Sequence, residues 1–153
     1  MTDDDQFSKD LPSASHQTPA GVSDATVEAL GKLSEALETV ERARGHLYSF
    51  HQLTGSADIA LQDAVESLRS AGHHQTADRI ERELVGRNVL AGRWTFQIVE
   101  EYDDTYWSVF RRLEDDAREE HAGGRRHLFE ARMKQDERTV GLEGHEATPE
   151  DVG

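Results

Sequence analysis

The sequence predicts an all-α fold: an antiparallel bundle of about four main helices plus a short C-terminal helix, with disordered acidic termini. Three observations lead to this prediction. Apolar residues recur at steps of three and four through most of the chain, which is the spacing of one helix face. Glycines end these stretches at short intervals, so successive helices should pack antiparallel. The one stretch of alternating apolar residues has no second strand nearby to pair with.

Composition divides the chain into a central domain and two polar ends. Residues 1–22 and 139–153 are rich in acidic and small polar residues and in proline or glycine, and we expect both to be disordered tails. Residues 23–138 then form the helical bundle domain. Asp and Glu number 31 against 17 Lys and Arg, for a formal net charge of -14. The acidic excess extends into the central domain.

This composition excludes several classes of function. A strongly acidic chain without a long basic stripe repels phosphate backbones, so we expect no nucleic-acid partner. No apolar run approaches the roughly 18 residues of a membrane-spanning helix, and the first residues, "MTDDDQFSKDL", lack the features of a signal peptide. We therefore expect a cytoplasmic protein. The chain has no cysteine, which excludes disulfides, thiolate catalysis and cysteine-ligated metals.

Three helices are predicted in the first half of the chain. Ser23 is a candidate N-cap for the first, which should run to about Leu53 and stop near Gly55. Ser56 should cap a second helix that ends at Gly72 in a left-handed conformation. A shorter third helix should follow the turn and reach Gly86. The apolar face of the first helix consists of Val27, Leu30, Leu33, Leu37, Val40, Leu47 and Phe50.

The stretch "GRWTFQIVEEYDDTYWSVF" predicts an irregular segment followed by a long fourth helix. Residues 88–95 should be the irregular lead-in, because no partner strand is available for a short extended piece. The helix should then continue to about Glu120. Its apolar stripe consists of Val99, Tyr102, Tyr106, Val109, Leu113 and Ala117. Gly123 and Gly124 interrupt this pattern, and residues 125–138 should form a short fifth helix.

The aromatic surface of the fourth helix is wider than one helix contact needs, because Trp107 lies to one side of the stripe. We expect something besides the first helix to cover it. Internal cover, by the lead-in or the C-terminal segment, is favoured over a second protein chain. Exposed aromatic residues beside arginine are nevertheless typical of protein interfaces. The predicted partner or ligand surface consists of Arg93, Trp94, Phe96, Asp103, Trp107 and Phe110.

Arg44 occupies an apolar-stripe position on the first helix. Its charge must reach water or meet a carboxylate, since an unpaired buried charge is very costly. Candidate partners are Glu101, Asp103 and Asp104, and a structural ion pair is favoured over a substrate-binding arginine. His51 lies at the edge of the same stripe, where a hydrogen-bonded boundary histidine is the favoured interpretation. The alternative is a polar pocket between the first and fourth helices, formed by Arg44, His51, Glu101 and Asp104.

Chemical motifs are incomplete throughout the sequence. No histidine has a carboxylate three residues before it, as di-metal bundles require. The acids at positions 100, 101, 103 and 104 spread around the helix, so a solvated face is favoured over paired catalytic or cation-binding carboxylates. No phosphate-binding loop or nucleophile motif is present. We predict no metal and no cofactor, and we favour a non-enzyme.

The segments "HLYSFHQLTG", "VGRNVLAGRWTFQIVEEYDDTYW" and "GGRRHLFEARMK" resemble a group of small acidic actinobacterial proteins of unknown function. The resemblance covers roughly residues 28–138 and implies a cytoplasmic bacterial protein, with no activity attached. Two functions follow from the whole sequence. The first is a non-enzymatic interaction or regulatory module that uses the aromatic-acidic surface of the fourth helix, with a protein partner or in a homodimer. The second is a small-molecule or metal-binding bundle that uses the polar pocket.

Overall fold

The computed structural model of the protein describes residues 11–148. Its helices are α1 (Asp24–Ser70), α2 (His74–Glu83), α3 (Thr95–Tyr102), α4 (Ser108–Ala122) and α5 (Leu128–Glu137). A π-helical stretch, called the π segment below, covers Asp103–Trp107 between α3 and α4, and a 3-10 helix covers Ala14–His16. Within residues 11–148 the only β-type pairing is an isolated bridge between Leu90 and Arg93. The all-α prediction is confirmed.

The chain forms two compact units. Of the described residues, 11–38 and 110–148 belong to the first unit and 39–109 to the second. Of the predicted tails, residues 1–10 and 149–153 lie outside the described residues. The described part of the N-terminal tail contains the 3-10 helix, and the backbone carbonyl of Gln17 accepts a hydrogen bond from the Arg125 guanidinium. None of the described helices is both long enough and apolar enough to cross a membrane.

The predicted ends of the first helical region are confirmed at Ser23 and Gly72. The Ser23 hydroxyl accepts a hydrogen bond from the backbone N–H of Thr26 at 3.1 Å, as an N-cap does. At the other end Gly72 has φ +86°, and the N–H of His73 donates to the carbonyl of Leu68 at 2.9 Å. This six-to-one bond with a left-handed glycine is the Schellman arrangement.

The predicted helix stop near Gly55 is wrong, because α1 runs through it without a break for 47 residues. A glycine inside a helix costs only about 1 kcal/mol relative to alanine. The neighbouring hydroxyls also do not cap a new helix. Thr54 Oγ1 donates to the carbonyl of Phe50 at 2.7 Å, and Ser56 Oγ donates to that of Gln52 at 3.1 Å. Both bonds point back into the preceding turn of the same helix.

The other predicted elements are found close to their expected positions. Residues 88–94 are irregular, as predicted, and α3 begins at Thr95. Gly123 and Gly124 both have positive φ and end α4, and the predicted fifth helix is α5.

The first unit has a small apolar core where α1, α4 and α5 meet. Val27, Ala122 and Leu128 are its buried members, with Phe129 packed against them. A Cβ atom placed on Gly31 would lie 2.8 Å from Cγ and 2.9 Å from Cβ of Phe129. Glycine at position 31 therefore lets the α5 ring approach the α1 backbone.

A buried carboxylate lies in the same unit. Glu114 is only 6% exposed. It accepts a hydrogen bond from the Ser34 hydroxyl at 2.9 Å and forms an ion pair with Arg118 at 3.2 Å. Arg118 also contacts Asp115. The charge of Glu114 is thus compensated within α1 and α4, as a buried carboxylate requires.

Candidate functional site

The centre of the candidate site is a bidentate ion pair in the second unit. Arg44 Nε lies 2.7 Å from Asp103 Oδ1, and Arg44 Nη2 lies 2.9 Å from Asp103 Oδ2. Both side chains are about a quarter exposed. The hydrogen bonds from Arg44 lower the pKa of Asp103, and the same bonds raise the pKa of Arg44. Of the three predicted partners of Arg44, Asp103 is the one that the structure pairs with it.

Trp107 lies against the same arginine. The guanidinium carbon of Arg44 is 4.3 Å from the centroid of the Trp107 ring, within the range of a cation–π interaction. The indole Nε1 donates to Glu41 Oε1 at 2.9 Å. Both contacting residues belong to α1. Residues of α1 therefore cover one face of this ring, and the expectation that something besides the first helix covers the tryptophan stays a prediction.

The π segment sets the geometry of this cluster. The N–H of Ser108 donates to the carbonyl of Asp103, five residues earlier, so the segment holds one residue more than an α-helical turn. Downstream of the insertion, each position that turns inward is shifted by one residue. Single-turn π segments inside α-helices are frequent at functional sites, and here the segment carries both Asp103 and Trp107.

The predicted apolar stripe of the fourth helix is correct before the insertion and, apart from the half-buried Ala117, wrong after it. Val99 is buried and Tyr102 is half-buried, as expected. Tyr106 and Leu113, however, are 50% and 52% exposed, and Val109 is exposed as well. The inward positions are instead the next residue in each case: Trp107, Phe110 and Glu114.

A second group of contacts surrounds the start of α3. His51 Nδ1 lies 2.7 Å from Thr95 Oγ1, which ties α1 to the first turn of α3. The backbone N–H of Trp94 donates to Gln97 Oε1 at 2.9 Å, which satisfies an amide at the helix start. Arg93 forms an exposed ion pair with Glu101. This part of the site is therefore held by polar contacts at its base and open at its surface.

Two aromatic rings are exposed beside these contacts. The Trp94 and Phe96 ring centroids are 5.2 Å apart, with the planes tilted by 46°. Trp94 is 61% exposed and Phe96 is 40% exposed. We call this pair the aromatic patch. An exposed tryptophan in contact with an exposed phenylalanine leaves a large apolar area in water, which is unfavourable unless a partner covers it.

A groove of about 590 Å³ lies in the second unit beside the aromatic patch. One wall is the α1 surface that includes His51 and Asp58, and the other is the irregular segment between α2 and α3. Asp58 Oδ1 accepts the backbone N–H of Gly86 at 2.9 Å and so fastens this segment to α1. The groove exists because residues 84–94 run along α1 without forming a helix.

The predicted site residues are thus divided among several places. Of the predicted partner surface, Arg93, Trp94 and Phe96 lie at the patch, whereas Asp103 and Trp107 contact Arg44, and Phe110 is half-buried and belongs to the first unit. Of the pocket candidates, only His51 lines the groove. Glu101 pairs with Arg93, and Asp104 is exposed.

Two contributing residues were missed from the sequence, Glu41 and Thr95. Glu41 lies three residues before Arg44 and therefore on the same side of α1, a spacing that could have drawn attention to it. Thr95 gives no comparable signal, because its contact with His51 depends on how α3 meets α1. Within the described part of the chain, no three His, Asp or Glu side chains are grouped so that they could hold a metal ion.

Comparison with known proteins finds no matching family model, no matching curated protein and no matching solved structure.

Proposed function

We propose that this protein is a non-enzymatic protein-interaction module and that the aromatic patch, Trp94 and Phe96, is its contact surface. The observation that carries the proposal is the 61% exposure of Trp94. Tryptophan, tyrosine and arginine are the residues most enriched where binding energy concentrates at interfaces. Protein interfaces commonly have an apolar, aromatic centre surrounded by a polar rim. The Trp94–Phe96 ring pair corresponds to the centre, and the neighbouring Arg93–Glu101 ion pair corresponds to the rim.

The charge of the chain indicates the chemistry of the partner. Glu100, Glu101 and Asp104 are all exposed on the helical run that follows the patch, and the formal net charge is -14. A partner that presents an apolar side chain flanked by lysine or arginine would meet both features, because opposite potentials speed association and disfavour other partners. The proposal includes a cytoplasmic bacterial setting, based on the resemblance to small acidic actinobacterial proteins.

The test compares what the wild-type chain and two variants bind. Trp94→Ala removes the exposed ring, whereas Ile59→Ala removes an aliphatic side chain that is 66% exposed on α1 and serves as the matched control. A protein captured from a bacterial lysate by the wild type is then purified and titrated calorimetrically. We expect its dissociation constant to rise at least about 30-fold for Trp94→Ala and to change little for Ile59→Ala. Equal binding by all three chains contradicts the proposal.

A second candidate function is the binding of a small organic molecule in the groove. The observation that favours it is the volume of about 590 Å³, which falls within the range of roughly 300 to 1,000 Å³ typical of ligand pockets. Its lining combines apolar side chains such as Leu61 and Leu84 with His51, Arg87 and Arg93. A thermal-shift screen of metabolites tests it: a stabilising compound should lose its effect when Leu61→Trp fills the groove, and no shift from any compound contradicts this alternative.

A further inference from the structure

Eight residues of α1 between positions 43 and 67 form an exposed row with the spacing of a coiled-coil seam. They alternate at steps of three and four, as heptad positions a and d do. At about 100° per residue they fall within an arc of about 120° on the helix surface. All eight are exposed and all belong to the second unit. The row, called the α1 seam, is Ala43, His46, Phe50, Leu53, Ala57, Ala60, Ala64 and Ser67.

The α1 seam is distinct from the face that α1 uses inside its own chain. Arg44 and His51 contact the α3 region, and Val65 is buried. These three positions lie about 100° to 160° around the helix from the middle of the seam. The helix therefore has two separate faces, and among residues 11–148 nothing covers the one that carries the seam.

The α1 seam is self-complementary in the antiparallel direction. Its members pair off at equal distances from residue 55, as 43 with 67, 46 with 64, 50 with 60 and 53 with 57. A twofold axis at the level of residue 55 would place each pair in one layer, with an a position facing a d position. Phe50 then faces Ala60 of the other copy, and Leu53 faces Ala57. Each large side chain meets a small one, so the spacing between the helices stays even.

We propose that the α1 seam docks a second copy of this chain in an antiparallel, twofold-symmetric pair. A parallel pair would set Phe50 against Phe50 and Leu53 against Leu53 but each alanine of the seam against another alanine, which forces the helices apart at the large side chains and leaves gaps at the small ones. A twofold contact uses the same patch on both copies, so a self-complementary row is what it requires. This proposal is independent of the aromatic patch, which uses other residues.

The second unit buries few of its apolar residues completely. Its buried hydrophobic residues are Val65, Ala77 and Val99, none of them large. Eleven larger hydrophobic residues in the same unit are exposed, among them Phe50 at 43% and Leu53 at 67%. Burial of apolar side chains is the main favourable term in association as in folding, so docking along the seam would remove two of the exposed hydrophobic residues of α1, Phe50 and Leu53, from water.

The size of the seam sets the expected strength of the contact. Its 25 residues span roughly 37 Å, and a helix is about 10 Å wide. Such a strip covers about 370 Å² of each copy in projection, or about 740 Å² for the pair, which is below the roughly 1,200 Å² at which standard specific interfaces begin and in the range of weak, transient contacts. We therefore expect a dimer that dissociates in the micromolar range rather than a permanent one.

The first test measures the monomer–dimer equilibrium of the full chain by analytical ultracentrifugation from about 1 to several hundred micromolar. Leu53→Glu places a charge in two layers of the symmetric contact. Ile59→Glu is the matched control, because it places the same charge on α1 away from the seam. The two wild-type side chains are 67% and 66% exposed. We expect Leu53→Glu to raise the dissociation constant at least about a hundredfold and Ile59→Glu to leave it nearly unchanged. Circular dichroism confirms that both variants stay helical.

The second test reads the direction of the helices by cross-linking. The chain has no cysteine, so Phe50→Cys and Ala60→Cys each introduce one thiol. In the antiparallel pair positions 50 and 60 face each other, while the two copies of position 50 are about 15 Å apart along the axis, too far for a disulfide. A mixture of the two variants under mild oxidation should give the mixed cross-linked dimer, and neither variant alone should cross-link.

Three results overturn the proposal. These are a monomer over the whole concentration range, equal weakening of the dimer by Leu53→Glu and Ile59→Glu, and cross-linking of Phe50→Cys with itself, which indicates a parallel pair.

Discussion

Arg44 and Trp107 lie in direct contact, with the guanidinium carbon 4.3 Å from the centroid of the ring. The same guanidinium makes two hydrogen bonds to Asp103. One arginine on α1 therefore holds both ends of the π segment, since Asp103 is its first residue and Trp107 its last. This relationship accounts for an arginine at an apolar position of α1 and for the partial burial of a tryptophan.

If Arg44 holds the π segment, its removal should change the surroundings of Trp107 more than those of Trp94. We expect Arg44→Met, which keeps a long apolar side chain, to destabilise the chain by about 1 to 2 kcal/mol, because the charge-assisted bonds to Asp103 are lost. Trp107 fluorescence, isolated in a Trp94→Phe background, should shift in wavelength or intensity. Urea unfolding and emission spectra measure the two effects. An unchanged Trp107 spectrum would mean that the contact is absent in solution.

The ion pair should also make stability depend on pH. Arg44 lowers the pKa of Asp103 in the folded chain, so the stabilisation is present above the unfolded value of about 3.9 and is lost as the pH falls through the lower folded value. We expect wild type to be more stable than Asp103→Asn at pH 7 and the difference to shrink below about pH 4. Urea unfolding at several pH values measures it. A difference that stays constant down to pH 2 would contradict the ionic origin of the effect.

Two glycines of α1 should respond in opposite directions to the same substitution. Gly31→Ala puts a methyl group 2.8 Å from Phe129 Cγ, whereas nothing lies within 4 Å of a Cβ on Gly45. We expect Gly31→Ala to destabilise the chain by about 1 to 2 kcal/mol through overpacking. Gly45→Ala should stabilise it by about 0.5 to 1 kcal/mol, because alanine is the better helix former. Thermal or urea unfolding tests the pair, and equal effects would show that α5 does not pack at position 31.

The buried carboxylate of the first unit should matter far more than an exposed one on the same helix. Glu114→Ala removes the partner of Arg118 and Ser34, and we expect a loss of about 3 kcal/mol because a partly buried guanidinium loses its main partner. Asp116→Ala breaks only the exposed pair with Arg112, both of whose side chains are 62% exposed, and should cost about 0.5 kcal/mol or less. Denaturant unfolding compares them. Similar losses would indicate that Glu114 is solvated.

The π segment explains why the sequence pattern predicts the wrong inward-facing residues in the second half of the fourth helix. Periodicity on either side of a one-residue insertion still looks helical, so the sequence does not mark the insertion itself. The residues around it allow both registers, because Tyr106 and Trp107 are neighbours and Val109 and Phe110 are neighbours. Contacts with α1 choose between the registers, and these depend on residues about 60 positions away.

The error at Gly55 has a different physical origin. Local rules weigh a glycine flanked by hydroxyl residues as a helix end, because such residues favour turns and caps. In α1 the hydroxyls bond back into the helix, and the cost of one glycine is small against a helix of 47 residues. The local preference for a helix end at Gly55 is therefore smaller than the stability that the helix gains by continuing through it.

Local physical chemistry is enough to predict the helical class, the caps at Ser23 and Gly72, the irregular segment before α3 and the need of Arg44 for a carboxylate, because spacing, backbone conformation and the cost of a buried charge act over short stretches of chain. Packing between distant segments selects Asp103 as that carboxylate, places Arg44 over Trp107 and leaves Trp94 exposed. Those outcomes depend on how α3 and the π segment meet α1, which local spacing does not set. The π segment shifts the inward positions that follow it by one residue without altering the local pattern on either side.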